Sequence, residues 1–200
     1  MIRYIVTILS AVILVLNPGS GLAQALQSQP GMKPINAEMR ALLASDDIDH
    51  ADDSKIDFVQ IAHADQTRRS RVRDLLIKGK LKNGGDFRAA AFIFQHGSST
   101  DDYLLAHALA LTAVSLGDHK ALWIANASLD RYLMTIGQKQ IFGTQYAQQD
   151  GPDRPFTQEP YNRDLVPDAI RKKVGIKTLS NQALFLETLE TRRASALAGK

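Results

Sequence analysis

Tyr103 to Gly117, YLLAHALALTAVSLG, is the stretch that decides the fold. It holds no Asp, Glu, Lys or Arg, and His107 is its one basic residue. A helix without a polar face belongs in the interior of a domain, so this segment is expected to be the helix around which the others pack. Ser99, with Asp102 three residues on, makes a capping-box-like start, and Gly117 makes a stop. Ala106, Ala110, Ala113 and Gly117 give it a small-residue edge that a neighbour can approach closely.

Working outward, Asp65-Gln66-Thr67-Arg68 opens a helix with Val72, Leu75 and Leu76 on one side, closed by Gly79 and Asn83-Gly84-Gly85. Asp86 is expected to cap a second, FRAAAFIFQH, closed by Gly97, and Asp118 to cap another over Ala121 to Ile136. Short connections between glycine-ended helices make antiparallel helical hairpins. The fold class is therefore mainly α, an antiparallel bundle. A tetratricopeptide-like solenoid is the alternative, although no second copy recurs at a fixed period.

After Gly137 the period changes. Gln140 to Tyr146 and Pro155 to Gln158 read as two strands around Asp150-Gly151, a β-hairpin at about 139–160 after the fourth core helix. Pro167 and Asp168 start a short helix ended by Gly175, and Ser180 caps a last one with Ala183, Leu186 and Leu189 inward. The single domain is expected over 54–190, preceded by a linker and short helix over 26–53, the helix capped by Asn36. Residues 191–200 are expected to form a disordered tail.

Arg3, the apolar run Tyr4 to Leu16 and the small-residue site Ala23-Gln24-Ala25 read as a secretory signal peptide over 1–25, cleaved after Ala25. The run is too short for a spanning helix, which needs roughly 20 residues. The expected location is periplasmic or secreted, with no membrane span after cleavage. The chain has no cysteine, which rules out disulfides, thiolate metal sites, thiol nucleophiles and lipid attachment through a cysteine. Its net charge is +3, with both signs interleaved and no basic stripe, so nucleic acid is not an expected partner.

Alternating helix directions bring four helix ends together. They carry Asp65 and Arg68; Gln95 and His96; Asp102, Tyr103 and His107; and Asp130 and Arg131. The Gln140 to Gln145 segment leaves from the same end. A buried network tying that segment to the bundle would account for these residues. The competing reading is a pocket for a small polar molecule or peptide, lined by Arg68, His107, Arg131 and Gln145. Asp65, Gln95, Tyr103, Gln140 and Thr144 join them as candidate binding residues. Close-spaced histidine signatures, Gly-rich phosphate loops and a G-x-S-x-G elbow are absent. No metal ligand or cofactor is assigned on this basis, and His50, in an acidic run, reads as a surface residue. Two histidines and a carboxylate forming a facial metal site are the minor alternative.

Three pieces of this region carry a resemblance: Phe94-Gln95-His96-Gly97; Asp102-Tyr103-x-x-Ala106-His107-x-Leu109-Ala110; and Asp130-Arg131-Tyr132-Leu133 with Gly137-x-x-Gln140-x-Phe142-Gly143-Thr144-Gln145. Together with Asp168-x-x-Arg171-x-x-x-Gly175-Ile176, they resemble a widespread bacterial family defined as a domain of unknown function. The resemblance implies no particular reaction, ligand or catalytic residue. The expected function is an exported binding or protein-interaction module, its partner a small polar molecule, a peptide or another periplasmic protein. The alternative is a hydrolase working through His96 or His107 with Asp130.

Overall fold

The computed structural model describes residues 34–50, 58–148 and 154–198. The expected signal peptide lies outside them. Seven α-helices make up most of the described chain: α1 (Ala37–Asp49), α2 (Phe58–Ile77), α3 (Gly84–Gln95), α4 (Thr100–Ser115), α5 (Leu122–Thr135), α6 (Asp168–Lys173) and α7 (Leu179–Ala198). A small antiparallel hairpin, β1 (Ala147–Gln148) and β2 (Phe156–Thr157), follows α5. The fold class is thus mainly α with one β-hairpin. No helix of the described residues is long and apolar enough to cross a membrane.

The helix at the centre is α3, not α4. Every residue of α3 except Phe87 is buried, and it packs against α1, α2, α4 and α5. Ala89 to Phe94 form an unbroken buried run, which Met39, Leu43, Val72, Ala110 and Ile124 complete. Each large side chain fully enclosed there contributes roughly 1.5–3 kcal/mol of burial free energy. On α4 the small residues Ala106, Ala110 and Ala113 face inward, while Leu104 and Leu111 stand about half exposed at 44% and 48%. A charge-free helix was a poor guide to depth here because its outward face is built from leucine rather than from charge.

Caps set the bundle's limits. Asn36 caps α1 by accepting from the N–H groups of Glu38 and Met39. At α3 the cap is Asn83 rather than Asp86. The Asn83 side chain accepts from the Asp86 N–H (3.1 Å) while the Asp86 carboxylate returns to the Asn83 N–H. Asp86 also accepts from the N–H groups of Asn36 (2.7 Å) and Lys82 (2.8 Å), which ties the start of α1 to the start of α3. Asp118 makes no cap bond; its carboxylate meets Arg88 at 2.7 Å, and a 3₁₀ turn, His119–Ala121, leads into α5.

The segment expected as the first strand, Gln140 to Tyr146, is a loop. Among the described residues, strand pairing begins at Ala147 and Gln148, opposite Thr157 and Phe156, because side chains described below take the loop's backbone donors. At its start, Gln140 bridges Tyr161. Tyr146 and Phe156 pack with Leu189 of α7 in a second, smaller core, with Tyr146 edge-on to Phe185. Helix α7 runs to Ala198, so most of the expected irregular tail is helical.

Helices α3 and α4 run antiparallel and in close contact at Gly84. A Cβ there would lie 2.6 Å from the Asp118 Cβ and 3.0 Å from the Ala113 carbonyl oxygen. Gly84→Ala is expected to destabilise the protein by about 1–3 kcal/mol through overpacking, read as a lower urea midpoint with an unchanged m-value.

Candidate functional site

Helix α3 ends in a hub. Its last carbonyls have no helical partner, and side chains from three other places supply one. Arg131 Nη1 donates to the Gln95 carbonyl (2.6 Å), Arg69 Nη1 to that of His96 (2.9 Å) and the Tyr103 hydroxyl to that of Gly97 (2.8 Å). The Arg131 guanidinium also lies over the Tyr103 ring, 5.5 Å from its centroid. The side-chain amide of Gln95 is fully buried, with no hydrogen-bond partner for either atom among the described residues.

On one side of this hub, Asp130 organises the loop. It is fully buried. Its Oδ1 accepts from the N–H groups of Ile141 (2.8 Å) and Phe142 (3.0 Å), and its Oδ2 from the Thr144 N–H (3.0 Å) and hydroxyl (2.8 Å). Burial pushes its carboxyl above the usual carboxylate range, and these four donors work against that push. The Gln140 amide closes the loop, accepting from Gln145 N–H at 3.0 Å and donating to the carbonyls of Gln145 and Gln158. Gln145 receives Arg131 Nε (3.1 Å) and donates to the Ala127 carbonyl (3.1 Å). Arg171, fully buried, donates to the carbonyls of Val166 and Phe142, and Gln182 donates to that of Phe142 as well. At Gly143, φ is +71° and a Cβ would run into Gln182 and Tyr161. Only glycine suits that position.

A second polar group lies where α1 ends, α2 begins and α3 stops. Arg68 contacts three carboxylates, with Nε 3.2 Å from Asp46 Oδ1, Nη1 2.5 Å from Asp49 and Nη2 2.5 Å from Asp65. His96 Nδ1 lies 2.8 Å from Asp46 Oδ2, and His50 Nε2 lies 3.2 Å from Asp65 Oδ1. The two imidazoles pack face to face at a tilt, with centroids 3.9 Å apart. His50 is thus no isolated surface histidine. The stripe Met39, Leu43, Asp46, His50 on α1 shows how it arrives there, and Asp65, Arg68/Arg69, Val72, Leu75 on α2 runs the other way. Each inward face is apolar over one half and charged over the other, and the charged halves meet. That switch along a helical stripe was legible, and it marks Asp46 and His50, which sequence reasoning left out.

Beyond Arg69 a groove of about 550 Å³ opens between α2 and the start of α4, lined by His63, Gln66, Arg69, Arg73, Ser99 and Asp102, among others. Asp102 Oδ1 receives Arg73 Nη2 at 2.8 Å, and its Oδ2 lies 3.5 Å from Arg69 Nε. The Arg73 guanidinium rests over the Phe94 ring at 4.8 Å.

The candidates therefore divide. Asp130, Arg131, Gln140, Thr144 and Gln145 form the loop clasp, Asp65, Arg68 and His96 form the second group, and Gln95 and Tyr103 sit at the hub between them. His107 belongs to neither, because its Nδ1 lies 2.8 Å from the Ala125 carbonyl oxygen, joining α4 to α5. The pocket expected from Arg68, His107, Arg131 and Gln145 is not assembled, since these residues are bonded in three separate places. Nor is the acid–base pairing of His96 or His107 with Asp130, whose two oxygens are occupied by the loop. Comparison with family models, with curated proteins and with solved structures returns no match.

Asp130→Asn would set an NH₂ group against donors that need an acceptor. It is expected to cost on the order of 3 kcal/mol and to raise protease susceptibility within 140–146, read by limited proteolysis. For His50, burial disfavours the charged ring, but the Asp65 hydrogen bond and the charges of Asp46 and Asp65 outweigh it, and its pKa lies above the usual 6.5. The folded state therefore holds that proton more tightly than the unfolded chain. The resulting stabilisation is complete below the unfolded value and is lost as the pH rises through the folded one. In chelator-treated buffer, His50→Gln should lower the urea midpoint more at pH 5.5 than at pH 8.5.

Proposed function

We propose that this chain is an exported binding module whose ligand is a small anionic molecule or an acidic peptide, held in the groove between α2 and α4. The observation that carries the reading is the groove's wall. Two arginines are set there in fixed positions, Arg69 by the His96 carbonyl and Asp102, Arg73 by Asp102 and the Phe94 ring. A guanidinium already immobilised loses little conformational freedom when a carboxylate or phosphate arrives. Ser98, Ser99 and Gln66 add polar groups along the same wall. The hydrolase alternative has less support, because His107 and Asp130 are bonded to backbone groups elsewhere. Export rests on the Arg3 to Ala25 pattern, and membership of the bacterial family on the Asp-Arg-Tyr-Leu and Gly-Thr-Gln pieces.

Isothermal titration of the mature protein against citrate, inorganic phosphate and an acidic octapeptide tests this. At least one probe should bind with a Kd below about 1 mM, equivalent to roughly −4 kcal/mol. Arg73→Ala should weaken that binding about tenfold while leaving the melting temperature nearly unchanged, since Arg73 is exposed. Equal affinity in the variant, or no binding by any probe, would sink the groove as the site.

A further inference from the structure

We propose that Asp46, His50 and His96 form a site for a divalent transition-metal ion of the zinc class, separate from the groove and independent of whether the groove binds an anion. One donor atom from each residue lies within 4.8 Å of the other two. The closest pair, Asp46 Oδ2 and His96 Nδ1 at 2.8 Å, has the spacing of neighbouring ligands on one ion. With bonds of roughly 2 Å, two donors on the same ion lie no more than about 4 Å apart. His50 supplies the third donor. It is the least enclosed of the three, its side chain 22% exposed against 7% for His96 and 0% for Asp46.

Electrostatics at this place favour a cation beyond the one already there. Among the described residues, three carboxylates, Asp46, Asp49 and Asp65, surround one guanidinium, that of Arg68, so acidic groups outnumber the cationic side chain there. Two helices also end here. Asp46, Asp49 and His50 stand at the carboxyl end of α1, whose last turn holds no basic residue, and His96 is the C-cap of α3. Both ends carry partial negative charge, so acidic residues in the last turn of α1 are misplaced unless a cation neutralises them. A further sign is the buried Asp46 carboxylate, whose Oδ1 is held by the Arg68 guanidinium at 3.2 Å, which leaves Oδ2, the oxygen beside His96, as the one offered to the ion.

Two imidazoles and a carboxylate suit zinc, cobalt, nickel or iron rather than calcium or magnesium. Asp65, at 3.2 Å from His50 Nε2, would hold that ring in place. Three protein donors leave a fourth position for water or a ligand atom, the mark of an exchangeable or reactive site rather than a closed structural one. The ion would take the place of the hydrogen bond between Asp46 and His96.

The test is titration of the metal-free mature protein with Zn²⁺ and with Co²⁺ at pH 7.5, followed calorimetrically and, for Co²⁺, by visible absorption. One ion should bind per chain with a Kd in the micromolar range and should raise the melting temperature. His50→Gln and His96→Gln should each weaken binding at least about tenfold and shrink the thermal shift accordingly, while His119→Gln on the distant 3₁₀ turn binds as wild type. His50→Gln keeps the experiment decisive if the more buried His96 variant fails to fold. No 1:1 binding tighter than about 100 µM, or the same affinity in His50→Gln as in wild type, would overturn the proposal.

Discussion

The structure depends on how the end of α3 is satisfied. A helix at the centre of a bundle cannot turn its last carbonyls to water, so each needs a donor from protein. Arg131, Arg69 and Tyr103 provide three, and in doing so they bind α5, α2 and α4 to one point. Because these donors are two guanidiniums and a phenol, each brings further bonding capacity with it. Arg131 reaches Gln145 and so the loop, whereas Arg69 reaches Asp102 and so the groove. The hydrophobic run Ala89 to Phe94 places α3 in the centre, and these polar contacts then fix what surrounds its end.

The loop after α5 answers the same constraint differently. A strand would have satisfied Ile141, Phe142 and Thr144 with another strand's carbonyls. Here one buried carboxylate does so, and the amides of Gln140, Gln158 and Gln182 complete the work. The arrangement is rigid, because each member has its partners, and vulnerable, because loss of Asp130 leaves several donors without an acceptor at once. It also accounts for the density of Gln, Asp and Gly between 130 and 145 without any ligand. The more open chemistry lies on the other side of the hub, where three aspartates, one arginine and two histidines meet.

Much of this was readable in the residues, and the misreadings have specific physical causes. Glycines at 79, 117, 137 and 175 all have positive φ, and they mark turns just past helices. Polar residues at the ends of apolar helices pointed to where helix ends meet. Yet the convergence came out as two groups either side of a hub, because ranking residues by helix end cannot tell which way around the helix each one faces. The alternation in QIFGTQY suggested a strand for a related reason. Period two records which side chains are apolar, not what receives the backbone N–H groups.

Composition, helix stops and apolar stripes are local, and they determined that the chain would be helical, cysteine-free and organised as short-linked hairpins. The half-apolar, half-charged stripes of α1 and α2 were local as well, and they held the information that Asp46, Asp65 and Arg68 lie inside with His50 beside them. Depth and partnership were decided only in three dimensions. Whether α3 or α4 is central depends on how many neighbours each one has, a property of the assembled bundle. Whether Asp130 anchors a loop or His107 reaches a carbonyl depends on contacts 11 to 18 residues away along the chain. No periodicity records such pairings, because the desolvation that makes them obligatory arises only when the surrounding helices have closed.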